Sequence, residues 1–552
     1  MNTATWRLYS ELPLTGITTM TTLKPINYAL FLLALWISHV PAQAQYAGAK
    51  PLPDDLKPGF DAVKVDDAKR VLSYLATKCA GRGTGQAGYE KAARFVASEF
   101  KRIGLKPLGD NVTYFQRATV SKSRQIWTEF RGPGGSAHLN RSDFHYFHGY
   151  ALDQLAGSST VSGPPLFVEY RGNTADQSGY SQFQGRIVFL HFPDSLRRDQ
   201  RILQQYYPFE ESVLNAGPSA VFDVRDQFDQ EDSMGWEKRG LRPGPLWRLA
   251  ESPLEYFGHR QVPDPHYGLM SVRGELAIMH AAKVDKLNIP VAGSVAVTPG
   301  IEPLTFTVRG ELDQVTTENV VGLMEGSDPI LKSEFVVVGG HLDHFGIRHG
   351  KVYPGADDDG SGAADVIEVA RAMAANAKRP RRSIVFVTFF GEEQGLLGST
   401  FFVQHALVPI EKIVAELQMD MVGRDSDGDQ QDRSKKRVDT AAENIDTIRI
   451  VGSKKISTEM DKYVQNMNEF VNFRLLYDSE SVYGRSDDAN FIRYGIPTTW
   501  LFSGFHPDYH KPTDTVDKID WVKLTSAAKL CYLTAHAIAD ADAPPRRDVP
   551  AH

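Results

Sequence analysis

From residue 313 onward the chain repeats one pattern, a short apolar, β-branched run that switches abruptly to glycine and charge. Phe335-Val-Val-Val338, Ser383-Ile-Val-Phe-Val-Thr-Phe389 and Ile413-Val-Ala-Glu-Leu-Gln-Met419 all end this way, and Thr447-Ile-Arg-Ile-Val451 and Pro497-Thr-Thr-Trp-Leu501 follow, with helical patterns between the runs. Strands apolar enough to be buried on both faces, alternating with helices, predict an α/β fold with a mostly parallel central sheet flanked by helices. Open sheets of this kind bind ligands outside the carboxyl ends of their strands, so the residues just after each run carry the functional information.

Upstream, Ala62 to Leu75 and Tyr89 to Ile103 show apolar residues at helical spacing on either side of the turn Gly81-Arg-Gly-Thr-Gly85. Between residues 118 and 312 the texture changes to short β-type runs, among them Leu166–Tyr170, Arg186–Leu190, Ala220–Val224 and Val291–Val297. This predicts an inserted, mainly β domain over 118–312, between N-terminal helices and linker at 45–117 and a main domain at 313–545. Residues 226 to 270, rich in Pro, Trp, Gly and charge, read as a long irregular excursion. At the start, Lys24 precedes a short apolar run to Trp36, and Ala42-Gln-Ala44 has the A-x-A form of a cleavage site. Residues 1–44 are therefore expected to be a signal peptide, with Met20 an alternative start, and the protein to be exported to the periplasm or medium. The run is shorter than the ~20 residues of a spanning helix, and no other stretch approaches that length.

A formal net charge of -7 offers no general attraction to nucleic acid or to an anionic membrane surface. The two cysteines, Cys79 and Cys531, are too few for a disulfide scaffold or a thiolate zinc site, although they could pair after export. Any metal must be held by His, Asp and Glu. No G-x-S-x-G or H-E-x-x-H occurs, which removes the serine-hydrolase elbow and the helical zinc-protease signature.

The strand ends supply chemistry instead. The first runs into Gly339-Gly-His341-Leu-Asp343-His344 and then Pro354-Gly-Ala-Asp357-Asp358-Asp359-Gly-Ser-Gly362, where three adjacent carboxylates need solvent or a cation to offset their repulsion. The second ends in Gly391-Glu392-Glu393, whose side chains point in different directions, so that one can bind metal while the other handles a proton. The third leaves Asp420 among apolar neighbours, where an unpaired carboxylate is costly. His510 lies in the loop Phe505–Asp514. Singly these read as a core histidine, half an ion pair, a helix cap and a surface residue. Together, two His and three carboxylates suit a two-zinc site with one carboxylate left for proton transfer.

On these residues the chain resembles the M28 zinc aminopeptidases, through His341-Leu-Asp343, Gly355 to Gly362, Gly391-Glu-Glu393, Leu417 to Asp420 and Tyr509 to Thr515. The resemblance covers the opening helices and residues 313 to about 540, and implies the zinc exopeptidase fold, two Zn2+ ions and peptide substrates. It further implies that His341 and Asp420 hold one zinc, Glu393 and His510 the other, and that Asp358 bridges them. Asp343 would orient His341, and Asp358-Asp359 would be the family's strained peptide bond. Glu392 would be the general base, taking the proton of the attacking water and passing it to the leaving amine. Tyr483, in Tyr-Gly-Arg-Ser-Asp-Asp488, aligns with a tyrosine that steadies the oxyanion in some members. His344, His349 and His506 match no ligand position. The 118–312 segment resembles the protease-associated (PA) domain inserted in several members, through Gln184 to Leu190 and Ala216 to Phe222. A carboxypeptidase or a glutaminyl cyclase on the same scaffold, or a receptor-like relative without activity, are the competing readings within this resemblance.

Overall fold

The computed structural model describes residues 46–548 except 140–143, 148–156, 172–179, 198–199, 227–245, 251–265, 285–294, 301, 349 and 426–439. The expected signal peptide, His349 and most of the 226–270 excursion lie outside the described residues.

The main sheet runs in the order Arg474–Leu476, Thr447–Val451, Thr498–Phe502, Ile413–Met419, Phe335–His341, Ser383–Phe389, Leu304–Met324, Phe115–Gly132 and Gly135–His138. Its centre is parallel: Ser383–Phe389, Phe335–His341, Ile413–Met419 and Thr498–Phe502 all point the same way. Both flanks contain antiparallel pairings, so the sheet is mixed, and at one edge Thr447–Val451 and Arg474–Leu476 run parallel to each other again. Helices Val65–Lys78, Ala87–Ile103, Gly360–Ala375 and Trp521–Asp540 cover one face, where Leu72, Phe100, Ile367 and Leu530 share a core with Val336, Val338 and Leu417. On the other face Val337, Val385 and Val387 pack with Phe402 and Phe491. Strands buried on both sides account for the apolar runs that mark them in the sequence. Among the described residues no helix is long and apolar enough to cross a membrane.

The expected boundaries at 118 and 312 both fall inside long strands. Phe115–Gly132 and Leu304–Met324 pair antiparallel from Val320 opposite Phe115 to Thr305 opposite Arg131, forming a ribbon that leaves the main sheet and leads into the inserted segment. That segment has its own sheet, ordered Val295–Pro299, Pro165–Tyr170, Ile187–His191, Ala220–Arg225, His266–Ser271 and Phe144–Phe147. Its four inner strands are parallel, so crossovers are required, and helices Gln200–Asn215 and Val272–Ala281 follow two of these strands. The segment thus combines its largely parallel sheet with two helices of ten residues or more. Tyr206, Phe209 and Val213 of the first helix pack on one side of this sheet. Cys79 and Cys531 are both buried free thiols.

Candidate metal centre

The four parallel strands end side by side, and their next residues converge. His341 closes its strand level with Phe389, two residues before Gly391-Glu392-Glu393; Asp420 follows Met419; His506 and His510 lie in the loop after Phe502.

Three aspartates in a row fit here because each is used differently. Asp359 caps helix Gly360–Ala375, accepting from Gly362 N–H at 2.8 Å, and also accepts from the N–H groups of His341 at 3.0 Å and Met421 at 3.1 Å. One carboxylate therefore ties two strand ends to a helix N-terminus. Asp357 accepts from Gly423 N–H at 2.7 Å and faces His506 Nε2 at 3.4 Å. Asp514 in turn accepts from the N–H groups of Asp357 and Asp358 at 3.0 and 3.1 Å. With its neighbours anchored, Asp358 is left to project into the centre, and the Asp358–Asp359 peptide is cis. Gly362 lets the helix approach the sheet: a Cβ there would lie 2.1 Å from the Met419 carbonyl oxygen.

Two groups of donors meet at Asp358. His341 Nε2 lies 3.4 Å from Asp358 Oδ1 and 3.6 Å from Asp420 Oδ1. His510 Nε2 lies 3.2 Å from Asp358 Oδ2 and 3.5 Å from Glu393 Oε2. Donor atoms around a tetrahedral zinc stand about 3.3 Å apart, given bonds of about 2.0–2.1 Å, so both sets have the separation that a shared ion requires. The buried sets His341, Asp358, Asp420 and His344, Asp358, Glu393 each bring three ligand atoms within 4.8 Å of one another.

Electrostatics point the same way. Burial opposes a charge on His341, yet Asp420, Glu392 and Asp358 raise its pKa well above the usual histidine range. Burial likewise opposes a charge on Asp358, but the imidazoles of His344, His341 and His510 hold it well below the usual carboxylate range. Asp358, Glu392, Glu393 and Asp420 thus surround a region that calls for positive charge, and oxygen with imidazole donors suits Zn2+. The residues present fit two such ions.

The surrounding contacts fix this geometry. His341 Nδ1 bonds the backbone carbonyl of Asp343 at 3.0 Å, leaving Nε2 for a metal, whereas the Asp343 carboxylate stays 3.7 Å from the ring. That carboxylate instead accepts from Glu392 N–H at 3.1 Å and from the Thr84 hydroxyl at 2.9 Å, so it ties the Gly391–Glu393 turn to the Gly81–Gly85 turn. Ser486 donates to Asp420 Oδ2 at 2.7 Å, and Trp500 Nε1 donates to the Asp420 carbonyl at 3.0 Å. Glu392 Oε2 lies 3.9 Å from His341 Nε2, and burial pushes its pKa well above the ordinary glutamate range.

Tyr483 packs on the cluster of Met421, Val451, Trp500 and Phe505 that also holds Tyr509, and the Lys455 ammonium lies 4.7 Å from its ring. The tyrosine stacked on the ligand set is Tyr509, whose ring lies 3.7 Å from that of His510. Sequence reasoning passed over Arg82, which is fully buried and donates to the carbonyls of Leu342, Pro354 and Gly355 at 2.8, 2.7 and 2.7 Å. His344, which matches no ligand position in the sequence, lies with its Nδ1 2.7 Å from Glu393 Oε1, and burial pushes its pKa down to about 4.

Residues 319–535 match the model of peptidase family M28. A probable leucine aminopeptidase of Arthroderma otae is 31% identical over 221 residues, 38% of this chain and 56% of that protein. The match thus spans little more than half the length of this curated relative, and two others give 55%. Among solved structures, an aminopeptidase from Aneurinibacillus sp. strain AM-1 superposes with a TM-score of 0.52 at 18% identity, covering 90% of this chain and 97% of that one. A zinc aminopeptidase from Bacillus subtilis gives 0.50 at 17% identity, covering 91% of this chain and 100% of that one. At such identities these likenesses establish the fold, and residues 319–535 are the segment that matches peptidase family M28.

Proposed function

We propose that this protein is an exported, dinuclear zinc aminopeptidase that removes residues from the N-termini of peptides. The observation that carries this reading is the meeting of His341, Asp420, Glu393 and His510 around Asp358, with Glu392 beside them. His341 and Asp420 would hold one ion, Glu393 and His510 the other, and Asp358 both. Zinc bound there would lower the pKa of a water and polarise the scissile carbonyl. Glu392, held by the Asp343 bond to its N–H, would take the proton of that water and pass it to the leaving amine. Asp420 and Glu392 would also attract the substrate's α-ammonium group.

Arg485 is the observation behind a carboxypeptidase alternative. It is exposed, its guanidinium lies 5.3 Å from the Phe505 ring, and it could anchor a terminal carboxylate. A short peptide compared with its N-acetylated and C-amidated forms separates the two readings. Acetylation is expected to stop hydrolysis and amidation to leave it intact; the opposite result would make Arg485 the anchor. The pattern from Lys24 to Ala44 supports export, and N-terminal sequencing from the native host should find a chain beginning at Gln45.

A further inference from the structure

We propose that residues Tyr46–Lys50 form a strap that withholds the mature N-terminus from hydrolysis, so that the enzyme does not trim itself. The inference rests on the aminopeptidase and export readings above: cleavage after Ala44 would leave Gln45 as the terminal residue and Gln45–Tyr46 as the first bond open to attack.

An enzyme that removes residues from accessible N-termini always has its own among the candidates, and chain ends are ordinarily loose. Here the segment just past the expected cleavage point is fastened. Tyr46 N–H donates to the Val471 carbonyl at 2.9 Å and Lys50 N–H to the Glu469 carbonyl at 2.8 Å, while Asn472 Nδ2 donates to the Ala47 carbonyl at 2.7 Å. Ala49 N–H closes a turn on the Tyr46 carbonyl at 3.2 Å. Gly48 sits in that turn with a φ of 99°, where a Cβ would lie 3.0 Å from Asn472 Nδ2. The Tyr46 ring packs on the main core, 4.9 Å from the ring of Phe473, and its hydroxyl donates to the Ile445 carbonyl at 3.0 Å. Lys50 Nζ adds a bond to Glu469 at 2.8 Å, and Leu52 and Leu56 continue the packing beyond the strap.

Position matters as much as attachment. The strap's partners lie just before Thr447–Val451 and Arg474–Leu476, the outer strands of the main sheet, whereas Asp420 follows Ile413–Met419. Two to three strand spacings of about 4.8 Å separate those outer strands from the one that ends at Asp420. The single residue ahead of Tyr46 spans at most about 3.6 Å, so the terminus cannot enter its own centre. For another copy to cut the Gln45–Tyr46 bond, Tyr46 must first give up its hydrogen bonds and its ring contacts.

The test uses the full-length protein, exported and purified, with its N-terminus read by intact mass and sequencing. Every chain carries Gln45→Ser, because a terminal glutamine closes on its own amine with loss of ammonia and would block hydrolysis unaided. Asn472→Gly removes the donor to Ala47 without altering the strap's sequence, and glycine accepts the φ of 66° found there. Tyr46→Ala removes the ring and hydroxyl. The parent is expected to hydrolyse the free peptide Ser-Tyr-Ala-Gly-Ala-Lys while keeping its own terminus. Both variants should hydrolyse that peptide as the parent does, yet lose residue 45 and then residue 46; adding Glu392→Gln should stop the loss. Variants that keep their termini as fully as the parent, or a parent trimmed as fast as the variants, overturn the strap. If neither variant folds, hydrogen exchange in the parent decides: slow amides at Tyr46 and Lys50 support the strap, and amides as fast as those of the free peptide overturn it. A free peptide left intact by the parent would sink the aminopeptidase reading, and a purified chain that keeps residues 1–44 the export reading, each taking this inference with it.

Discussion

Glu392 and Asp358 both carry carboxylates into the centre but would fail in different ways. An amide at 392 keeps the side chain's size and cannot accept a proton, so Glu392→Gln is expected to lower turnover by about 10²–10⁴-fold with metal content unchanged. Asp358 stands between both donor sets, so Asp358→Asn should lower metal content itself. Elemental analysis beside peptide turnover separates the two effects; loss of metal in Glu392→Gln would make it a ligand rather than the base. Arg82 acts from further out. Its three donors hold the carbonyls of Leu342, Pro354 and Gly355, bracketing His341 and Asp358, and a lysine cannot reproduce that fork. Arg82→Lys should therefore weaken zinc binding by about 10–100-fold, read by chelator competition, with kcat restored when zinc is saturating. A kcat that stays low at saturating zinc would mean that Arg82 does more than position the loop.

Elements buried on both faces were legible from the sequence because burial is written into their composition. Ser383–Phe389, Ile413–Met419 and Thr447–Val451 are placed residue for residue, since nothing competes with an apolar run bounded by charge. Of the ligand candidates, His341, Glu393 and Asp420 stand at or just past such runs, whereas Asp358 and His510 lie in loops and were singled out through the family resemblance. The ribbon Phe115–Gly132 with Leu304–Met324 was not legible, because Ser, Thr, Arg and Glu along it give neither an apolar run nor clean alternation. Helices Gln200–Asn215 and Val272–Ala281 were hidden among stronger strand signals, and the first contains Pro208. The contacts of His344 to Glu393 and Gly355 were not legible, because they join segments far apart in the chain that no local pattern connects.

Helix Val272–Ala281 also carries a testable burden. Its Glu275 is buried, and burial, with the nearby Glu169 and Asp226, raises its pKa from 4.5 to about 8. The folded protein then keeps a proton that the unfolded chain releases between those values, so stability falls as pH rises through that window. Glu275→Gln removes the titrating group. Melting temperatures should favour the variant above about pH 8, and its advantage should fade toward pH 4.5. A constant offset across this range would place the effect elsewhere.

At the scale of the whole molecule, the segment inserted in sequence is not separate in energy. The chain leaves the main sheet along Phe115–Gly132 and returns along Leu304–Met324, yet between them Leu246–Leu249 folds back to pair with Val120–Ser123. This return strand buries Leu249 in the core shared with helices Val65–Lys78 and Ala87–Ile103 and sets Trp247 beside Gly85, in the turn that also supplies Thr84 to Asp343. Lys122 lies 5.0 Å from the Trp247 ring and Ala250 N–H donates to the Thr119 carbonyl at 2.8 Å, so the contact is polar as well as apolar. Truncating a buried leucine to alanine costs about 2–5 kcal/mol, and here the cost falls on the catalytic side of the ribbon. Leu249→Ala is therefore expected to speed hydrogen exchange at residues 79–89 and 115–122 while leaving strand Ile187–His191 as protected as in wild type. Faster exchange confined to 187–191 would mean that the return strand belongs energetically to the inserted sheet, and the Gly81–Gly85 turn would then owe its position to the metal loop alone.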